Sequence, residues 1–376
     1  MIIKTSEFKK ICTTVLSATD NSEISTLTET LELKAEGNML ALNVTNKEYY
    51  VSVTFPLERE ELFHAAVNAN LFLKLIAAVT SETIELTIDD TCLKVKANGN
   101  YKIPLIFENE QLMVLPTIDL TNPTLQMNIS SDILESIVNF NSKQLTVGTA
   151  AKPVQKMFYV DEQGCLTFTS GACINNFTLE QPMRILFNQR LVNLFKLFKG
   201  TLVNFTLSYE QVSETIIQTK VCFETPSIKL SAITGCDDSL LAQVPVDAIR
   251  RRANTVYPYS IVLNVTELSE AINRILIFSA GYGSKENLKP YSSFEFKPGY
   301  VSIYDAKKEN HENITYQNGT NVENDYSMTL DLFELKKVLD SCSDQYVTLN
   351  FGNSQAAVLV RNAIRNVIPE VRTHGN

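Results

Sequence analysis

The sequence of 376 residues contains no tryptophan, only three histidines and only seven cysteines. The cysteines are scattered, odd in number and without a C-x-x-C pair: Cys12, Cys92, Cys165, Cys173, Cys222, Cys236 and Cys342. This pattern favours reduced, mostly buried thiols over a disulfide framework. It also offers none of the paired cysteine spacings that zinc sites use.

Long apolar runs are also missing, so the sequence predicts neither a signal peptide nor a membrane helix, and we expect a cytoplasmic protein. With 44% hydrophobic and 20% charged residues, the composition is that of a soluble globular protein. The net charge of -9 argues against a surface that coats nucleic acid everywhere. It leaves open a basic lining inside an acidic exterior.

Enzymatic motifs are absent as well. His64, His311 and His374 are far apart, and the sequence has no H-x-x-x-H pair and no glycine-rich phosphate loop. The paired carboxylates at residues 89–90 and 237–238 each follow a predicted strand and indicate turns. We therefore expect no catalytic residue, metal or cofactor. A hydrolase with a polar site in a domain cleft stays open as an alternative.

Apolar residues recur at helical spacing in three places along the chain. They fall at i, i+3 and i+4, and in the first and last places also at i+7 and i+8, which is one helix face. The three stripes are Phe8, Ile11, Cys12, Val15 and Leu16, then Leu134, Ile137 and Val138, then Leu268, Ala271, Ile272, Ile275 and Leu276. Asn141 interrupts the middle stripe, which predicts a shorter middle helix.

A second repeat joins a helix to a strand in which apolar and polar residues alternate. One pair of offsets, 119 and then 144 residues, aligns its three copies without a gap. The aligned core positions are Phe72/Leu191/Leu335, Leu75/Leu194/Val338, Ile76/Phe195/Leu339 and Leu86/Phe205/Leu349.

The two repeats predict an α+β fold of three tandem similar domains, each with two helices packed on antiparallel sheets. Weakly periodic stretches that contain proline separate the copies around residues 115–123 and 243–258. The predicted domains are residues 1–122, 123–253 and 254–376.

Three such copies in a chain of this length resemble the β subunit of bacterial DNA polymerase III, the DNA sliding clamp. Residues 41–48 (ALNVTNKE) are similar to the family's first-domain strand and turn, and residues 101–105 (YKIPL) with Leu115-Pro116 to the end of that domain. Thr169-Ser170-Gly171 lies where the family places a T-D-G turn. Residues 367–369 (VIP) lie where its apolar C-terminal tail carries a proline. The resemblance covers nearly the whole chain and is that of a diverged member.

The resemblance implies a head-to-tail homodimer, with the helices lining a central hole and the sheets closing the outside. Ring closure leaves no sheet edge free to pair with other molecules. By position, Ile103 and Leu105 of one protomer would meet Ile277 and Phe278 of the other. An ordinary core role for these four residues is the alternative.

A ring that slides must attract phosphates without reading bases, so it needs dispersed cations. Lys74 and Lys337 occupy one repeat position, 263 residues apart. The basic residues on the helices expected to face double-stranded DNA are Lys9, Lys10, Lys74, Lys143, Lys196, Lys199, Arg274, Lys336 and Lys337. For each one, simple solvation on a polar helix face is the alternative.

The resemblance also implies a groove between the second and third domains for a short peptide, carried by the DNA polymerase III catalytic subunit and the clamp loader. By position it would include Val154, Thr169, Gly171, Ile174, Pro245, Arg250, Val367, Ile368 and Pro369. Ala172-Cys173 replace a frequent His-Arg pair, Glu370 replaces an apolar residue, and the tail runs on through residues 372–376. A non-clamp scaffold or interaction protein with the same fold is the alternative function.

Overall fold

The computed structural model describes residues 1–19, 25–145, 151–211, 217–235, 237–279, 290–317, 322 and 325–371. Within these ranges the α-helices are α1 Thr5–Leu16, α2 Thr26–Glu29, α3 Ala69–Ala78, α4 Ser131–Ser136, α5 Gln189–Leu194, α6 Asp238–Leu241, α7 Val246–Asn254, α8 Val265–Ser279 and α9 Leu332–Leu339. One π-helical turn covers Ile137–Asn141, and 3-10 turns cover Ser142–Gln144, Pro153–Lys156 and Phe195–Leu197. None of the described helices is both long and apolar enough to cross a membrane.

The strands pair antiparallel throughout. In chain order they are β1 Ile2–Lys4, β2 Thr30–Thr45, β3 Tyr49–Asn68, β4 Thr83–Ile88, β5 Cys92–Lys96, β6 Asn100–Pro104, β7 Phe107–Glu108, β8 Gln111–Leu112, β9 Leu125–Ser130, β10 Met157–Asp161, β11 Gly164–Phe168, β12 Ala172–Asn176, β13 Arg184–Asn188, β14 Leu202–Gln211, β15 Ile217–Glu224, β16 Ile228–Thr234, β17 Tyr259–Asn264, β18 Tyr291–Lys297, β19 Tyr300–Tyr304, β20 His311–Thr315, β21 Tyr326–Asp331, β22 Tyr346–Phe351, β23 Ala356–Arg361 and β24 Ile364–Pro369.

The chain forms two compact units. Unit 1 comprises residues 1–135 and 190–237, and unit 2 comprises residues 136–189 and 238–376. Unit 1 holds a six-stranded sheet in the order β2-β3-β16-β15-β14-β9, a four-stranded sheet β1-β4-β5-β6 and the hairpin β7-β8. Unit 2 holds an eight-stranded sheet β13-β10-β11-β12-β24-β23-β22-β17 and a four-stranded sheet β20-β19-β18-β21.

Each unit contains a sheet that runs across one of the predicted domain borders. In unit 1, β16 pairs with β3, with Ile228 opposite Val53. In unit 2, β12 pairs with β24, with Ala172 opposite Val367. The strands of residues 123–253 are therefore shared between two long sheets, and the borders near residues 122 and 253 stay predictions.

The aligned positions of the helix–strand repeat form the cores. Eleven of the twelve are buried, and Leu75 is half-buried. The equivalence extends to helix capping. Asn68 and Asp331 lie 263 residues apart, and each is the N-cap residue directly before a helix. The Asn68 side chain accepts a hydrogen bond from Leu71 N at 3.0 Å, and the Asp331 side chain accepts one from Phe333 N at 2.9 Å.

The middle copy of the first helix is shorter, as the interrupted stripe predicts. Helix α4 has 6 residues, against 12 in α1 and 15 in α8, and it continues as the π-helical turn. Asn141 ends that turn and is fully buried. Its amide nitrogen lies 3.3 Å from Thr167 Oγ1 and 3.4 Å from the carbonyl oxygens of Cys165 and Cys173. A polar side chain that bonds the sheet thus replaces the apolar residue of the other copies.

The described cysteines are all free thiols, as expected. Cys12, Cys92, Cys165, Cys173 and Cys222 are buried, and Cys342 is half-buried. Cys236 lies outside the described residues.

Candidate functional site

Of the residues of unit 1 predicted to face DNA, Lys9, Lys10 and Lys74 lie on α-helices, Lys196 lies in a 3-10 turn and Lys199 in the loop that follows it. Helix α1 packs against α3, where the rings of Phe8 and Phe72 meet edge to face with centroids 6.1 Å apart. Lys9 Nζ donates to the carbonyl oxygen of Ala77 at 2.8 Å, which ties it to the end of α3. The remaining four cations are exposed and form no ion pair with any described residue: Lys10, Lys74, Lys196 and Lys199. These four charges are available to an external anion.

In unit 2 the residues predicted to face DNA have acidic or carbonyl partners. Arg274 Nε lies 2.7 Å from Glu312, and its Nη1 lies 3.6 Å from Glu270. The hydrogen bond to Glu312 is the main cause that raises the pKa of Arg274. Among the residues predicted to face DNA, those of unit 2 therefore carry less uncompensated charge than those of unit 1.

Around the end of α9, three lysines contact acceptors of their own unit. Lys337 pairs with Glu334 at 3.0 Å, and Lys336 with Asp340 at 3.4 Å. Lys143 Nζ donates to the carbonyl oxygen of Asp340 at 2.6 Å. Exposed pairs of this kind contribute about 0–1 kcal/mol each, so a phosphate could compete for these lysines.

The predicted groove residues lie around the junction of β12 and β24. Tyr159, Leu166, Ile174 and Arg365 are successive cross-strand partners on β10, β11, β12 and β24. Directly opposed residues share a face of the sheet, so these four form one row. Helix α7 packs against β12 and β24. Its Arg250 reaches Asp161, two residues from Tyr159 and hence on the same face.

Gly171 permits the close approach of the two strands at this junction. A Cβ at Gly171 would lie 2.6 Å from the carbonyl oxygen of Val367 and 3.7 Å from the ring of Pro369. The turn before β12 closes with a 2.7 Å hydrogen bond from Thr169 N to Gly171 O. Glycine is therefore the residue that fits here, for reasons of space.

A buried ion pair anchors α7 to the sheet. Arg250 Nη2 lies 2.6 Å from Asp161 Oδ1, with side-chain exposures of 19% and 5%. Burial, together with the negative charge of Asp161, raises the pKa of Tyr159 to about 12. The ion pair with Asp161 holds the Arg250 guanidinium and positions α7 against the sheet.

The other predicted groove residues differ in location. Val154 is buried in the 3-10 turn Pro153–Lys156, while Pro245 is exposed just before α7. Val367 is buried, and Pro369 at the end of β24 is half-buried. Ile368 belongs to the hydrophobic core of unit 2 and, by alternation along β24, faces away from the row that contains Ile174. The residues that replace the His-Arg pair, Ala172 and Cys173, are buried.

The residues expected at a dimer interface differ in exposure. Ile103 is only 2% exposed and lies on β6 opposite Leu93, so its own chain already covers it. Leu105 is half-buried and bridges to Val67. Ile277 and Phe278, near the end of α8, are 53% and 57% exposed. The last two are the members of this set with free apolar surface.

Two residues at the junction were not among the sequence candidates. Asp161, the partner of Arg250, ends an apolar strand, and Arg365 lies opposite Ile174. Both follow from strand alternation once the pairing register is known. In the described ranges no group of His, Cys, Asp or Glu residues could hold a metal ion.

Among known proteins, solved structures share the fold of this chain, whereas sequence comparison finds no match. No family model and no curated protein matches the sequence. The structure is similar to the DnaN sliding clamp (DNA polymerase III subunit beta) of Pseudomonas aeruginosa, solved with griselimycin, with a TM-score of 0.81, 14% identity and 99% of each chain covered. It is also similar to the β subunit of Streptococcus pyogenes DNA polymerase (TM-score 0.80, 13% identity) and to the Thermotoga maritima DNA polymerase III β subunit (0.78, 13%), again over 99% of each chain. The chain therefore has, over nearly its whole length, the fold of the bacterial DNA polymerase III β subunit, the sliding clamp.

Proposed function

We propose that this chain is the protomer of a DNA sliding clamp, a non-enzymatic ring that encircles duplex DNA without reading its sequence. The observation that carries the proposal is the similarity to sliding clamps over 99% of both chains, with a TM-score of 0.81. The similarity extends over nearly the whole of both chains, which supports a protomer built like those of sliding clamps. The partners we propose are a second copy of the chain, the DNA polymerase III catalytic subunit and the clamp loader.

The distribution of charge supports the DNA-binding part of this proposal. The protein carries a net charge of -9, yet Lys10, Lys74, Lys196 and Lys199 stay exposed and unpaired among the described residues. Dispersed lysines attract the phosphate backbone and release counterions, which makes binding dependent on salt and independent of sequence. Such contacts suit a ring that must move along the duplex.

The β12–β24 junction with α7 is the surface we propose for partner peptides. It combines an apolar sheet, a helix fixed by the Arg250–Asp161 pair and a glycine in the turn where the chain comes close to β24. A preformed surface of this kind binds an extended peptide with little ordering of the protein itself. Because Ala172 and Cys173 are small and buried, we expect a peptide preference that differs from that of clamps with His-Arg.

The ring is tested first by small-angle X-ray scattering. A particle of twice 42.1 kDa with the pair-distance profile of a hollow ring is the expected result. A compact monomer at micromolar concentration would contradict the ring.

The topological link to DNA is tested by threading. The protein is mixed with linear duplex at low salt, the DNA ends are blocked with a bulky protein, and salt is then raised to break ionic contacts. A ring stays on the blocked DNA and leaves open-ended DNA, whereas a scaffold of the same fold leaves both equally.

Charge reversal at Lys74, Lys196 and Lys337 should lower the amount threaded about tenfold or more, because three phosphate-attracting charges are inverted. The matched control reverses Lys34, Lys96 and Lys308, which are paired with acids on strands or loops. Both triple variants change the net charge equally, so an equal loss in the two would refute the assignment of the helix faces.

A further inference from the structure

Arginine is concentrated on one surface of unit 2. The chain has ten arginines, and five of them lie on α7 or on the sheet face against which α7 packs. They are Arg184, Arg250, Arg251, Arg252 and Arg365. Arg365 is directly opposite Ile174, and Arg184 is directly opposite Asp161, which Arg250 of α7 contacts. We call these five residues the arginine surface.

Four of the five guanidinium groups form no hydrogen bond or ion pair with any described residue, namely those of Arg184, Arg251, Arg252 and Arg365. Among these four, Arg365 is half-buried and the others are exposed. The fifth, Arg250, is held by Asp161 at 2.6 Å. Glu162, which follows Asp161, and Asp247 on α7 offset only part of the positive charge. The surface therefore has an excess of positive charge in a chain whose net charge is -9.

Two of the guanidinium groups act on the same hydroxyl. Burial and the charge of Asp161 raise the pKa of Tyr159 to about 12, although Arg184 and Arg250 both act to lower it. The two positive charges are therefore close together at this end of β10. Because the Asp161 carboxylate is bonded to Arg250, Arg184 is available to a carboxylate from another molecule.

The arginine surface and the helices α8 and α9 lie on opposite faces of the eight-stranded sheet. Ile368 of β24 belongs to the core that contains Ile272 of α8 and Leu335 of α9. Arg365 lies an odd number of residues before Ile368 on the same strand, so its side chain is on the other face. A DNA duplex that runs along α8 and α9 would not contact Arg365. The charge on this surface therefore suits a different ligand.

We propose that the arginine surface binds an acidic segment of a partner protein, whose aspartate and glutamate side chains pair with the four unpaired guanidinium groups. Arginine presents its N–H groups in a planar fork that matches the two oxygens of a carboxylate, and arginine clusters recognise acidic motifs in this way. The inference rests on the proposed function, because the same junction is the surface that we propose for partner peptides. It adds the chemistry of the partner, which carries acidic residues beside its apolar ones.

The interaction should be sensitive to salt and divided among several contacts. Mobile ions screen exposed ion pairs, and each pair contributes little alone, so affinity depends on several guanidinium groups acting together. Removal of two of the four groups should therefore lose a measurable part of the preference for acidic peptides.

Peptide binding tests the surface directly. The two probes are synthetic peptides with a pair of leucines, flanked by glutamates in one and by glutamines in the other, and both carry a neutral fluorophore. Binding is measured by fluorescence anisotropy at low salt and again at raised salt. We expect the glutamate peptide to bind the wild type about tenfold more tightly than the glutamine peptide, with a difference that shrinks as salt rises. Equal binding of the two peptides to the wild type would overturn the proposal.

A pair of double variants locates the effect. Arg251→Gln with Arg252→Gln removes two exposed guanidinium groups, and the matched control, Lys47→Gln with Lys307→Gln, removes two exposed lysines outside the arginine surface. Both change the net charge equally. We expect the arginine variant to lose about threefold or more of the preference for glutamate and the control to keep it. An equal loss in the two would indicate general charge attraction and refute the surface.

Nucleic acid is the rival ligand, and the same assay identifies it. If the arginine variant weakens the binding of a labelled oligonucleotide while the two peptides bind alike, the surface binds nucleic acid and the proposal is wrong. The scattering experiment separates this inference from the proposed function. A hollow ring without a preference for glutamate would overturn the inference alone, whereas that preference in a compact monomer would support the surface and contradict the ring.

Discussion

The ion pair between Arg250 and Asp161 should be a major local determinant of how α7 sits on the sheet. Its atoms are 2.6 Å apart, and Asp161 is almost fully enclosed. Removal of one partner leaves the other charge buried without compensation. For a fully buried pair this costs about 3–5 kcal/mol, and the partial exposure of Arg250 reduces the expectation to about 2–3 kcal/mol.

A double-mutant cycle measures the interaction itself. We expect Asp161→Asn and Arg250→Met each to lower the free energy of unfolding by about 2–3 kcal/mol. The double variant should lose much less than the sum of the two, with a coupling energy of about 1.5–3 kcal/mol. The assay is urea unfolding followed by far-UV circular dichroism at neutral pH.

The matched control is the pair Lys34–Glu36, whose atoms are 2.8 Å apart but whose side chains are 49% and 66% exposed. Solvent screens this pair, so Lys34→Met and Glu36→Gln should show no measurable coupling. Similar coupling energies in the two cycles would refute the argument that burial, and not distance, gives the Arg250–Asp161 pair its strength. Loss of peptide binding in Arg250→Met with a folded α7 would assign Arg250 a second, direct role.

Gly171→Ala should lower the free energy of unfolding by about 1–3 kcal/mol in the same assay, because the new Cβ would lie 2.6 Å from Val367 O. Gly235→Ala is the control and should leave the free energy of unfolding unchanged, because its Cβ would have no described atom within 4 Å. Asn68→Ala and Asp331→Ala should each lower the free energy of unfolding by about 1 kcal/mol, since each removes a helix N-cap. Lys4→Ala is the control, because Lys4 precedes α1 without a side-chain cap. Unequal losses of stability at Asn68 and Asp331 would count against their equivalence. Among the described cysteines, Cys342 should react first with iodoacetamide at pH 8, while Cys12 and Cys173 stay unlabelled until the protein unfolds. Burial raises the pKa of both thiols to about 12, so the reactive thiolate is scarce below that pH; early labelling of Cys173, read by peptide mass spectrometry, would contradict its burial.

Local pattern was enough to predict the elements and their cores. Apolar spacing of 3.6 and 2 residues identifies helix and strand faces independently of distant parts of the chain, because it indicates which face of the element is buried. The offsets of the repeat aligned positions such as Phe72, Leu191 and Leu335, all of which are buried. The break at Asn141 lies at the last residue of the π-helical turn that follows α4.

The candidate site was predictable only in part. Gly171, Ile174 and Val367 come together because β12 and β24 pair, as the resemblance implied. Ile368 lies on the opposite face, since the side-chain period of a strand is two and neighbours along it alternate. That the helix cations face DNA stays a prediction. The acidic partners of Lys336 and Lys337 lie three or four residues away on the same helix and follow from helical spacing, whereas the Glu312 partner of Arg274 is distant in the chain and only the structure revealed it.

The sequence by itself determined the element types, the threefold repeat and the polarity of each face, because these depend on residues close together in the chain. Tertiary structure alone decided how the strands of residues 123–253 are divided between two sheets, and it placed Asp161 beneath Arg250. It also placed Arg184 and Arg365 on the sheet face against which α7 packs. These arrangements depend on the register between strands far apart in the chain, where a shift of one residue reverses every face, and local periodicity carries no information about that register.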